Sequence, residues 1–146
     1  MNWIIALRGR YDAGKTTTIR LLLEFLDRRD DFELIRSNYV AGQDRTDFVT
    51  VFSYNDCLIG VTSSGDTFDA VNNRLQEFVD EDCQICVCAC RTYGQTNTAV
   101  EGFEDYEVQY IEKTFARNPL ERNEANRGDA ELLQQRIVEL IDLVNR

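Results

Sequence analysis

Residues 3–18 run Trp3-Ile4-Ile5-Ala6-Leu7-Arg8-Gly9-Arg10-Tyr11-Asp12-Ala13-Gly14-Lys15-Thr16-Thr17-Thr18, and their character changes twice. Trp3–Leu7 is a short apolar run closed by Gly9, which reads as a buried strand. From about Lys15 to Arg28 the period becomes helical. Ile19, Leu22, Leu23 and Leu26 share one face, which Leu21 and Phe25 widen. Between strand and helix, Gly9–Thr16 fits G-x-x-x-x-G-K-[ST] at every fixed position. A glycine turn carrying an accidental lysine would fit it too, so the flanks decide, and here a strand precedes and a helix follows. The physical logic is direct. Glycines let the backbone curl until successive N–H groups face inward as an anion nest. The helix N-terminus adds partial positive charge. Lys15 places a full charge near the β and γ phosphates of a bound polyphosphate. Thr16 offers a hydroxyl to Mg²⁺, and Thr17 is in reach of the α-phosphate. Gly9, Arg10, Tyr11, Asp12, Ala13, Gly14, Lys15, Thr16 and Thr17 are therefore the candidate nucleotide-binding residues.

Downstream, strands alternate with helices. Phe32–Arg36 reads as a second strand. Phe48–Ser53 and Cys57–Thr62 flank the turn-forming Tyr54-Asn55-Asp56, which predicts an antiparallel hairpin. Phe68, Val71, Leu75, Phe78 and Val79 repeat at helical spacing, with Asp66 or Thr67 as cap. Gln84–Cys90 reads as a central strand, 96–103 as a short helix and Tyr106–Glu112 as the last strand. Arg117–Arg127 reads as a polar loop holding the sole proline. Asp129–Asn145 closes the chain as an amphipathic helix. The expectation is one domain, residues 1–146, with a mainly parallel α/β sheet covered on both faces and one antiparallel hairpin strand.

Composition narrows the function classes. Sixteen Lys and Arg against 26 Asp and Glu leave a net charge of −10, which disfavours nucleic acid as a partner. The absence of histidine removes His-based triads and His-ligated zinc. No apolar stretch approaches membrane-spanning length, and Trp3–Leu7 is too short for a signal-peptide core, so a cytoplasmic protein with no membrane partner is expected. Four of the five cysteines crowd into Cys83–Cys90 and read as reduced thiols. Cys83-x-x-Cys86 has metal-like spacing without a second ligand pair. Cys86, Cys88 and Cys90 alternate, so in a strand they face one side as small hydrophobes.

The Gly9–Thr16 segment resembles the Walker A motif of the P-loop NTPases. That resemblance implies a three-layer α/β sandwich, a bound nucleoside triphosphate and Mg²⁺. Leu58-Ile59-Gly60-Val61-Thr62-Ser63-Ser64-Gly65-Asp66 looks like the D-x-x-G region of small GTPases, with Thr62 standing where the metal-shell Asp is expected and Gly65 where the γ-phosphate-sensing glycine sits. Thr62 is thus a candidate metal residue beside Thr16. Asp66, the nearest acid, is a candidate catalytic residue with Lys15; the alternative is a simple helix cap. The N-K-x-D that reads guanine is missing after ICVCAC, where Arg91-Thr92-Tyr93-Gly94-Gln95-Thr96 stands instead. ATP is therefore the default nucleotide and GTP the alternative. IGVTSSGD and CRTYGQT also look like strings in small bacterial P-loop proteins described only as ATP-binding.

Arg91, at a strand's C-terminal end, is placed to stack on a base or pair with a phosphate, or is a surface arginine. Asp44, Arg45 and Thr46 belong to a polar loop, 40–47, that is either ligand-facing or merely solvated. Arg117, Arg122 and Arg127 either form an arginine lid or punctuate a linker. Glu112-Lys113-Thr114 lies where P-loop proteins often wrap the base. The expected function is Mg²⁺-dependent binding of a nucleoside triphosphate with hydrolysis or phosphoryl transfer, an ATPase before a GTPase. A small kinase with an unknown acceptor, or a nucleotide-responsive module with a protein partner, is the alternative.

Overall fold

Alternation along β1 (Asn2–Arg8) sets the layers. Trp3, Ile5 and Leu7 enter one apolar cluster, and Ile4 and Ala6 enter another. Successive side chains of a strand point to opposite faces, so a strand buried on both faces serves two cores. The computed structural model describes residues 1–11, 13–38 and 47–145. The elements that follow are α1 (Lys15–Asp27), β2 (Glu33–Ser37), β3 (Val49–Tyr54), β4 (Cys57–Thr62), α2 (Phe68–Asp80), β5 (Ile85–Cys90), α3 (Gln95–Val100), β6 (Tyr106–Glu112) and α4 (Pro119–Val144).

The six strands form one mixed sheet in the order β2-β3-β4-β5-β1-β6. β4, β5, β1 and β6 pair in parallel. β3 pairs antiparallel with both β2 and β4, so it alone runs against the rest. The predicted hairpin is present, and Asn55 takes positive φ at its turn. Side chains of α1 and α4 pack with Ile85, Val87 and Ala89 on one face of the sheet. Val71, Leu75 and Phe78 of α2 and Ala99 and Val100 of α3 pack with Cys86, Cys88 and Cys90 on the other. The chain is thus α/β, with helices on both faces of the sheet, consistent with a three-layer sandwich.

One element departs from the sequence reading. α4 begins at Pro119, ten residues before the expected start, so Arg122 and Arg127 lie in a helix and not in a loop. Asn118 caps it, its side chain accepting from the Glu121 amide at 2.9 Å, and proline suits the first helical turn because its missing N–H has no acceptor there. The first two turns carry charged, solvent-facing residues with no apolar period, so the pattern was silent. No helix among the described residues is long and apolar enough to cross a membrane.

Candidate functional site

The C-terminal ends of β1, β5 and β6 are tied together at one edge of the sheet. The Gly9 amide donates to the Cys90 carbonyl at 3.0 Å, and the Lys113 amide donates to the Arg8 carbonyl at 2.7 Å. Beyond that edge the Ala13 amide donates to the Arg10 carbonyl at 3.3 Å. Gly14 then takes the left-handed conformation, φ 91°, as N-cap of α1. Gly14 has no side chain to cap this helix, and no side-chain cap forms among the described residues. The amides of its first turn have no acceptor within the helix, as at any α-helix N-terminus.

Lys15 is buried, 7% exposed. Its Nζ donates to the Gly9 carbonyl and, at 3.0 Å, to the Cys90 carbonyl. Burial pushes its pKa below the ordinary 10.5 and Arg91 pushes the same way, while Cys90 and Asp66 oppose them. Tyr11, Ala13, Gly14, Lys15, Thr16, Thr17 and Asp66 line one cavity of about 220 Å³. Thr16 is half-buried and Thr17 exposed. Thr18 turns away, donating to the Gly14 carbonyl at 2.9 Å and reaching Asn126 of α4.

Asp66 is exposed and does not cap α2. Thr67 does, accepting from the Ala70 amide at 3.1 Å. The capping alternative for Asp66 is therefore replaced by a position on the cavity wall. Arg91 Nε donates to the Asp66 carbonyl at 3.2 Å, and its guanidinium lies 5.5 Å from the Tyr11 ring. Arg91 thus clasps the cavity's rim by joining the loop after β4 to the loop after β1.

Thr62 is placed differently. β5 stands between β1 and β4, which puts Thr62 two strands, about 10 Å, from the strand that feeds the loop. Its side chain is fully buried. Its hydroxyl lies 3.2 Å from the Ser64 hydroxyl and accepts from the Ser64 amide. It shapes the β4–α2 turn and is not among the residues lining the cavity that holds Thr16. Gly65 packs on β5: a Cβ there would stand 2.6 Å from the Ala89 Cβ. Asp12 and the stretch Asp44-Arg45-Thr46 lie outside the described residues.

Two residues support the loop from behind: Asn126, which carries no sequence signal, and Lys113, which the sequence by position places near the base. Asn126 abuts Gly14, and Lys113 abuts Gly9; a Cβ on either glycine would stand 2.6 Å from Asn126 Oδ1 or 2.9 Å from the Lys113 Cβ. Lys113 is ion-paired with Asp129 at 2.9 Å, both side chains nearly inaccessible. Asp129 also accepts from the Thr114 amide at 2.8 Å and hydroxyl at 2.7 Å. Glu112–Thr114 therefore anchors the floor of the loop through α4.

Arg117 and Arg122 share with Arg10, Ala13, Phe115 and Ala116 a second cavity of about 430 Å³, touching the first at Ala13. Arg127 is elsewhere, over the Phe25 ring. A third hollow, about 260 Å³, lies between α1 and β2 with Leu23, Leu34 and Phe52 in its lining. Its charged residues, Glu24 and Asp27, have the wrong sign for a phosphate. All five cysteines are buried free thiols, and Cys86 Sγ contacts the Cys83 carbonyl at 3.8 Å, which suits packing. Among the described residues no three His, Cys, Asp or Glu converge as metal ligands. Against protein-family models, curated proteins and solved structures, the chain has no match.

Proposed function

We propose that the chain is a P-loop NTPase-like protein that binds the triphosphate of a nucleoside triphosphate, with ATP ahead of GTP, in the cavity that Tyr11, Lys15, Thr16 and Asp66 help to line. The observation that carries this is the meeting of the start of α1, Lys15, Thr16 and Asp66 on one cavity. Each part answers a need of a polyphosphate. First-turn amides and the helix dipole supply diffuse positive charge. The Lys15 ammonium supplies a point charge and trades two carbonyl partners for phosphate oxygens. Mg²⁺, a hard cation held by oxygens, fits the Thr16 hydroxyl and the Asp66 carboxylate, and when bound it would neutralise charge on the terminal phosphates. Asp66 either holds that metal's water or orients a nucleophile. In phosphoryl transfer such positioning and neutralisation suffice for basal turnover.

A second reading, nucleotide binding without turnover, is favoured by Thr62. The strand-end position that would carry a metal-shell carboxylate holds a buried hydroxyl bound to Ser64. Calorimetry with Mg²⁺ and ATP or GTP tests the common part. Lys15→Ala should weaken triphosphate affinity by about 100-fold or more while thermal unfolding stays cooperative. Unchanged affinity removes the site. Single-turnover assays with labelled ATP separate the rest: phosphate released to water means hydrolysis, label in an acceptor means a kinase, and intact triphosphate means a binding module.

A further inference from the structure

Charge pairing in this chain is uneven. Arg8, Arg29, Arg36, Arg74 and Arg136 each have a carboxylate partner. Arg10, Arg117 and Arg122, like Arg20, Arg28, Arg91 and Arg127, make no ion pair among the described residues, although the chain holds 26 acidic residues. Arg10, Arg117 and Arg122 line one cavity, and none of its described lining residues carries a carboxylate. Arg10 lies over the Phe115 ring at 4.2 Å, and Arg122 donates to the Arg117 carbonyl at 2.9 Å. Three like charges around one hollow repel one another, and that cost falls when an anion enters. Guanidinium forks suit phosphate oxygens in particular. A triphosphate in the neighbouring cavity already has Lys15, the α1 amides and Mg²⁺, and an uncharged base or ribose needs none of these arginines.

We infer that the Arg10–Arg117–Arg122 cavity receives a second phosphoryl group, separate from the triphosphate chain. It rests on the nucleotide reading for its neighbour only, since the two cavities meet at Ala13. The group is carried either on the ribose of the same nucleotide or by a separate small phosphorylated molecule. Phe115, 55% exposed, supplies an apolar face beside it.

The experiment is a set of calorimetric titrations on the full chain with Mg²⁺. The ligands are ATP, ATP carrying a 3′-phosphate, and inorganic pyrophosphate added to chain saturated with ATP. Either the 3′-phosphorylated nucleotide binds about tenfold tighter than ATP, or pyrophosphate binds alongside ATP. The first result places the group on the nucleotide and the second on a separate molecule. In both, the double variant Arg117→Gln/Arg122→Gln loses the gain and keeps ATP affinity. ATP binding with neither gain, or a gain that survives the double variant, overturns the inference and leaves the triphosphate site standing. If ATP itself does not bind, pyrophosphate is titrated into the free chain. Binding lost in the double variant then upholds the arginine cavity alone, and no binding overturns it.

Discussion

Gly14 and Asn126 lie 112 residues apart in sequence and in contact in space: a Cβ on Gly14 would stand 2.6 Å from Asn126 Oδ1, with Gly14 held at φ 91°. The loop is therefore set by two separate constraints, a local backbone angle that only glycine adopts at ease and a steric wall supplied by α4. Gly14→Ala should cost about 1–3 kcal/mol and weaken triphosphate binding. Adding Asn126→Ala should recover the steric part and leave the backbone part. A denaturant-unfolding double-mutant cycle reads the two apart, and strict additivity would contradict the contact.

The Lys113–Asp129 pair is the most enclosed ion pair among those described. Asp129→Ala leaves a buried ammonium unmatched and removes two hydrogen bonds to Thr114. The expected loss is about 3–5 kcal/mol by chemical denaturation. Glu139→Ala, which breaks a pair on the exposed face of the same helix, should cost well under about 1 kcal/mol.

Asp66 and Thr67 are neighbours with separable roles. Thr67→Ala removes the α2 cap and should lower stability by about 1 kcal/mol. Asp66→Ala should leave the unfolding midpoint in place and lower turnover by about 10–100-fold, more than it lowers affinity. A fall in stability alone would return Asp66 to a structural role.

Lys15 sets a pH dependence. Burial, with Arg91, lowers its folded-state pKa below 10.5. Between that lowered value and 10.5 the unfolded chain binds the extra proton, so this residue's charge-burial cost is full below the window and fades as pH rises through it. Triphosphate affinity should move the opposite way, present while Lys15 is protonated and lost as pH climbs through the same window. Calorimetry in buffers of different ionisation enthalpy should show proton uptake on binding there, and Lys15→Met should abolish it.

The cysteines give a chemical check on the fold. Burial raises Cys57 to about 11 and Cys83 and Cys90 to about 12, and lifts Cys86 and Cys88 well above the ordinary 9.0. A thiol-reactive dye at neutral pH should find no fast-reacting cysteine in the native chain and five after unfolding. A fast-reacting thiol among Cys86, Cys88 and Cys90 would mean that β5 is not central.

Elements with a strong local period were legible. Trp3–Leu7 alternates between two cores, α1 keeps its apolar stripe, and Asn55 marks the β3–β4 turn, because each signal is complete within a few residues. The start of α4 was not legible, since a solvated helix turn capped by Asn118 and opened by Pro119 has no apolar period to read. Thr62 and Asp66 were read by spacing from one strand. Which of them reaches the cavity depends on β5 pairing between β1 and β4, and no spacing within 58–66 encodes that.

The sequence alone determined a strand, a glycine-bounded loop and a helix in immediate succession, because hydrogen-bonding neighbours and side-chain periods there are local. Tertiary structure decided the rest: that Asp66 and not Thr62 lines the cavity, that Asn126 and the Lys113–Asp129 pair form its floor, and that Arg10, Arg117 and Arg122 share one hollow. Those relations join residues up to 112 positions apart, and they exist only once strand pairing and helix packing have closed the intervening chain.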